Sequence, residues 1–112
     1  MTSPTALLVI DAQVNMFDPA HPAHEAGVLL IRLASLLARA RRASLPVVFV
    51  RNCGGPQDPD QRDTPGWQVH PALKRQDDDL VLDKTTPDAF ASTALADELS
   101  ARGVTHLFVA GL

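Results

Sequence analysis

The sequence predicts an α/β protein: a three-layer α/β/α sandwich around a parallel, doubly wound, Rossmann-like sheet. Three observations predict it. Short apolar runs without two-residue alternation mark strands buried on both faces. Segments of helical period separate these runs, and the connections are long enough for parallel crossovers.

Ala6–Ile10 is an unbroken apolar run ending in Asp11, and forms the first strand. From Ala26 to Arg42, the residues Leu29, Leu33, Leu36, Leu37 and Ala40 recur at three- and four-residue spacing, the pattern of an amphipathic helix. Arg39, Arg41 and Arg42 suit the negative pole of that helix, and Pro46 stops it by disfavouring helical geometry in the residue before it. Val47–Val50 is the second strand. The stretch from Asn52 to Asp79 is rich in Gly and Pro and has no sustained period, so it reads as a long connection of the functional kind. Trp67, Val69 and Leu73 are expected to pack part of it down through one short helical turn. Leu80–Leu82 is the third strand, leading into Asp83 and Lys84. Thr93 is placed to cap a helix from about Ala94 to Arg102, which presents Leu95 and Leu99 on one face and ends at Gly103. Thr105–Ala110 is the fourth strand.

At 112 residues the chain has room for one core, so residues 1–112 are read as a single domain. The net charge of -3 and 21% charged residues exclude both a basic nucleic-acid arm and an acidic disordered tail. Aromatic residues total 4%, with no tyrosine, which leaves no platform for stacked bases. No apolar run approaches the roughly 20 residues of a membrane span. The N-terminus has no signal-peptide pattern and the lone cysteine suits a reducing compartment, so a cytoplasmic location is expected.

Ligands of open parallel sheets bind outside the carboxyl ends of the strands. Asp11, the stretch Arg51 to Cys53, Asp83-Lys84 and Gly111 all fall there. Asp11 suits either a general base or a cap of the following turn. Lys84 suits either a charge that tunes a neighbouring group or an ordinary salt bridge. Cys53 precedes Gly54-Gly55-Pro56 instead of opening a helix, so it is read as an incidental thiol. His21, His24, His70 and His106 form no metal-ligand spacing, and no phosphate-binding glycine motif follows the first strand. Neither a metal nor another cofactor is expected. A phosphoacceptor receiver domain is the remote alternative, disfavoured because a single acid follows the first strand.

Taken together, Ala6–Gln13 with Phe17, Pro46–Arg51, Pro65-Gly66-Trp67, Asp83–Phe90 and Leu107–Leu112 resemble the isochorismatase-like cysteine hydrolases, which include isochorismatases, nicotinamidases and N-carbamoylsarcosine amidases. The resemblance implies a catalytic Asp, Lys and Cys. Asp11 matches the first and Lys84 the second, and the cysteine is expected on a helix beyond Leu112. It implies amide hydrolysis, in which the aspartate takes the thiol proton and the thiolate attacks a carbonyl carbon. In the isochorismatase branch the aspartate instead protonates a vinyl ether. Gln13, Phe17, Asn52, Trp67 and Phe90 match places that line the family's pocket. The nicotinamidase metal pattern is missing from Arg51–Gly55. A small-molecule substrate and a homo-oligomer are implied, with no nucleic-acid or membrane partner. Doubly wound sheets usually have five or six strands and this sequence supplies four, so it is expected to be the N-terminal portion of its domain and to lack amidase activity as it stands. A non-catalytic member that binds a ligand or a partner subunit is the second reading.

Overall fold

Four apolar segments pair into one parallel sheet because each is hydrophobic on both faces and must be covered twice. In the computed structural model, which describes residues 4–17, 25–91 and 93–112, these are β1 (Thr5–Ile10), β2 (Val47–Asn52), β3 (Leu80–Lys84) and β4 (His106–Gly111). Their order is β3-β2-β1-β4, with every neighbouring pair parallel.

Alternation along the strands divides the core in two. On one face Leu7, Val9, Val47 and Phe49 meet Leu33, Leu37 and Ala40 of α1 (Ala26–Arg42), joined by Val69 and Leu73 from the long connection. On the other, Leu8, Val48 and Val50 meet Ala89 and, from α2 (Leu95–Ala101), Leu95 and Leu99. The two clusters are the interiors of the three-layer sandwich that the apolar runs predict.

The elements differ from the sequence expectation mainly at their ends. β2 continues through Arg51 and Asn52, and β3 through Asp83 and Lys84, because Arg51 pairs with Asp83 and Asn52 with Lys84 across the two strands. These four residues therefore occupy the last rungs of the sheet instead of following it. β4 is displaced by one residue and includes Gly111. α2 is shorter than expected: Thr93 Oγ1 accepts from the Leu95 amide at 3.0 Å one residue ahead of the cap position, which Ala94 occupies. Gly103 ends the element with φ 71°, which glycine adopts at little cost. The long connection holds two 3-10 turns, Pro65–Trp67 and Pro71–Leu73, where one was expected.

Gly111 closes the carboxyl end of the β1–β4 pair. Its φ is 130°, and a Cβ there would fall 2.0 Å from the Ile10 carbonyl oxygen, so glycine alone permits this approach. β4 forms one edge of the sheet, and its Phe108 and Val109 are 61% and 62% exposed.

Leu37, 2% exposed between α1 and the sheet, is the test of this packing. Leu37→Ala is expected to lower the unfolding free energy by about 2–5 kcal/mol, read from denaturant midpoints.

Candidate functional site

The strand order reverses between β1 and β4, so the crevice of a doubly wound sheet opens at the carboxyl ends of those strands. Asp11 leaves β1 at this point with φ 60°, a left-handed conformation that Asp tolerates better than most residues. Its amide donates to the Val50 carbonyl at 2.9 Å, which fixes where the carboxylate emerges.

Lys84 ends β3, two strands away. Its ammonium lies 3.3 Å from Asp11 Oδ1 and donates to Asn52 Oδ1 at 3.3 Å. The Lys84 side chain is 5% exposed and that of Asp11 21% exposed, so the pair is largely removed from water. At this separation the contact is ionic in character, and Asp11 Oδ1 has no aligned hydrogen-bond donor among the described residues. Burial pushes the Asp11 carboxyl above the usual aspartate value, the Lys84 charge pulls it back, and nearby Asp60 pushes it up again. Burial prevails.

Gln13 braces the strand ends from beneath. It is 1% exposed, and its Nε2 donates to the carbonyls of Asn52 and Trp67, both at 2.9 Å, while its Oε1 accepts the Asn52 amide at 2.8 Å. Asn52 lies on the Lys84 face of the rung and holds the ammonium, as above. Its Nδ2 donates to Asp60 Oδ2 at 2.7 Å.

The alternate residues of β2 and β3 face the other way. There Arg51 grips Asp83 through Nε and a terminal nitrogen at 2.9 and 3.2 Å, and its guanidinium lies 3.6 Å from the centre of the Trp67 ring. The Trp67 indole N–H donates to Asp83 at 3.0 Å. Trp67 is thus buried in an ion-pair stack. Asp83, though adjacent to Lys84 in sequence, is taken up by Arg51.

Phe17 is half-buried against the α1 side of the core and meets His70 edge to face with ring centres 5.3 Å apart. Phe90 is 49% exposed, its amide donating to Asp88. The Cys53 sulfur accepts from exposed Arg62 at 3.7 Å and has no hydrogen bond to Asp11 or Lys84 among the described residues. His70 Nδ1 accepts from the Ala72 amide, and His106 lies beside Thr105; His21 and His24 lie outside the described residues. Among the described residues no group of three or more His, Cys, Asp and Glu is placed to hold a metal ion. The structure therefore joins Asp11, Gln13, Asn52 and Lys84, sets Trp67 on the opposite face of the rung, and adds Asp60, which periodicity could not locate in an aperiodic loop.

A model of the isochorismatase domain matches residues 5–112, and the chain belongs to the isochorismatase family. Among its relatives is a streptothricin hydrolase of Streptomyces noursei, 42% identical over 107 residues that cover 96% of this chain and 39% of that protein. A second streptothricin hydrolase match from the same organism is 38% identical over 120 residues, 100% of this chain and 48% of the relative. The chain thus spans less than half the length of these relatives. Solved structures of the same fold include an isochorismatase from Pseudomonas putida (TM-score 0.87, 28% identity, 96% of this chain and 56% of that one). An N-carbamoylsarcosine amidase from Thermoplasma acidophilum has TM-score 0.78 and 28% identity, over 99% of this chain and 68% of that one.

Two outcomes follow from the geometry. Gln13→Leu strands the Asn52 amide and the Asn52 and Trp67 carbonyls, and is expected to cost about 1–3 kcal/mol for each group left without a partner, measured by denaturant unfolding. The raised Asp11 pKa means that its contribution to stability is fully present below the ordinary carboxylate value and is lost as pH rises through the folded-state value. Stability relative to Asp11→Asn is therefore expected to fall as pH rises from the ordinary carboxylate range through the raised folded-state value, as read from paired unfolding curves.

Proposed function

We propose that the protein is a hydrolase that cleaves a C–N (amide) bond in a small molecule, with Asp11 and Lys84 as two members of an Asp–Lys–Cys triad. The observation that carries this reading is the ion pair at the carboxyl edge of the sheet: a carboxylate beside the strand-order reversal with a buried ammonium 3.3 Å away. The thiol is proposed to follow Leu112, at the start of a helix whose backbone N–H groups would receive the oxyanion.

In this reading Asp11 Oδ1, which has no aligned donor among the described residues, accepts the thiol proton. The thiolate attacks the substrate carbonyl carbon, the amine departs with a proton, and water attacks the acyl-enzyme with Asp11 as its base. Lys84 opposes the effect of burial on the carboxyl and offsets the second negative charge when the thiolate forms. An N-carbamoylsarcosine amidase among the structural neighbours supports C–N cleavage, and the streptothricin hydrolases make a streptothricin the first substrate to try.

A second reading rests on the desolvation of Asp11. A carboxyl whose pKa burial raises is also suited to donate a proton, as the vinyl ether chemistry of the isochorismatase branch requires.

The two readings separate by trapping. In a protein that carries the segment proposed to follow Leu112, the amide reading predicts that hydroxylamine diverts product to a hydroxamate, and that Asp11→Asn lowers kcat/KM by roughly 10²–10⁴-fold. Lys84→Met is expected to move the acid limb of the pH–rate profile to higher pH, since the charge that favours ionised Asp11 is gone. Turnover of a vinyl ether with no trappable acyl-enzyme would favour the second reading; full activity in Asp11→Asn would overturn both.

A further inference from the structure

The loop after β2 brings a carboxylate to the site. Gly54 N donates to the Asp60 carbonyl at 3.0 Å, Asp58 N to the Gly55 carbonyl at 3.1 Å, and Gln61 N to the Asp58 carbonyl at 3.1 Å, so residues 54–61 close on themselves. Asp58 Oδ2 ties the Gly55 amide at 2.7 Å. The ring closes through the backbone of Asp60, which leaves its carboxylate for other use. That carboxylate lies over Gly54, where a Cβ would stand 2.0 Å from Asp60 Oδ1. Only glycine admits it.

No ion pair among the described residues involves Asp60, and the partner of its carboxylate is Asn52 Nδ2 at 2.7 Å. Solubility or loop closure does not require an acid to be held beside a second carboxylate, and like charges brought together cost free energy. The amide of Asn52 has one end that only donates and one that only accepts. An ionised carboxylate only accepts, so Asp60 selects the end facing it.

We propose that Asp60 is a positioning residue of this site: by holding Asn52 Nδ2 it turns Asn52 Oδ1 toward Lys84, and so keeps the Lys84 ammonium against Asp11. With the amide reversed, the NH₂ group would face the ammonium, donor against donor, and Lys84 would lose its second partner. Gln13 fixes the Asn52 backbone on both sides, so the side-chain amide is the remaining freedom, and Asp60 removes it. Two charged groups act on Asp11: Lys84 from β3 and Asp60 from the loop. Asp83 is held by Arg51 and Trp67, and Arg62 stands at Cys53. Asp60 thus has two opposed effects, a direct repulsion of the Asp11 charge and an indirect support of the Lys84 attraction.

Two variants separate these effects, since both remove the charge while one retains the acceptor. Asp60→Asn keeps an oxygen for Asn52 Nδ2; Asp60→Ala does not. Both lie in a polar loop whose closing bonds, from the backbone and from the Asp58 and Gln61 side chains, do not use the Asp60 side chain. The carboxyl carbon of Asp11 is followed by NMR through a pH titration, with the Asn52 side-chain amide protons observed in parallel. Asp11 is expected to titrate at lower pH in Asp60→Asn than in the parent, and in Asp60→Ala at higher pH than in Asp60→Asn. The Asn52 amide protons should stay resolved in Asp60→Asn and broaden by exchange in Asp60→Ala. Identical Asp11 titrations in the two variants, or an Asn52 amide unchanged by Asp60→Ala, would overturn the proposal. The placement of the site rests on the proposed hydrolase reading, but these readouts need no substrate. Expected titrations in a protein without hydrolase activity would therefore remove the activity and leave the positioning role standing.

Discussion

A lysine ammonium taken almost wholly out of water needs compensation on several sides, and the carboxyl end of this sheet is arranged to supply it around Lys84. Removing such a charge from solvent costs several kcal/mol, and one attraction at 3.3 Å does not offset that without further polar partners. Asp11 supplies the opposite charge and Asn52 an oriented dipole. Each depends on something further off. The left-handed turn at Asp11 aims its carboxylate, Gln13 fixes the Asn52 backbone, and the loop ring brings Asp60 to the Asn52 amide.

The pleat keeps this arrangement from interfering with itself. Arg51 and Asp83 pair on one face of the last rungs while Asn52 and Lys84 pair on the other. Asp83 would compete with Asp11 for Lys84 if both acids faced the same side; instead its oxygens accept from Arg51 and the Trp67 indole. The Arg51–Trp67 stack also holds the Trp67 segment close to the strand ends, where its carbonyl receives Gln13. One polar side chain thus connects three segments distant in sequence.

Much of the fold follows from residues that carry a period or a clean apolar run. Ala6–Ile10, Val47–Val50 and the Leu29–Ala40 stripe specify β1, β2 and α1 closely because burial on two faces, or on one helical stripe, leaves few alternatives. The polar ends of β2 and β3 were less legible: Arg51, Asn52, Asp83 and Lys84 look like loop residues in isolation, and only their cross-strand pairing makes them strand. Asp11 and Lys84 were visible as groups at strand ends, since topology alone brings those ends to one edge. Asp60 was not. Its place depends on a ring of backbone hydrogen bonds and a glycine contact within an aperiodic loop, and neither leaves a period in the sequence. The absence of a bulky residue at position 54, directly after the strand-end cysteine, is the one trace of it.

If Asp11 and Lys84 form one coupled charge pair, a double-mutant cycle on unfolding free energy resolves the coupling between them. Asp11→Asn, Lys84→Met and the double variant are compared with the parent near neutral pH. Because Asp11→Asn leaves a buried ammonium without its counter-charge, the double variant should be less destabilised than the sum of the singles, with a coupling of about 1–3 kcal/mol. Additivity to within about 0.5 kcal/mol would show that the two side chains do not form a coupled pair.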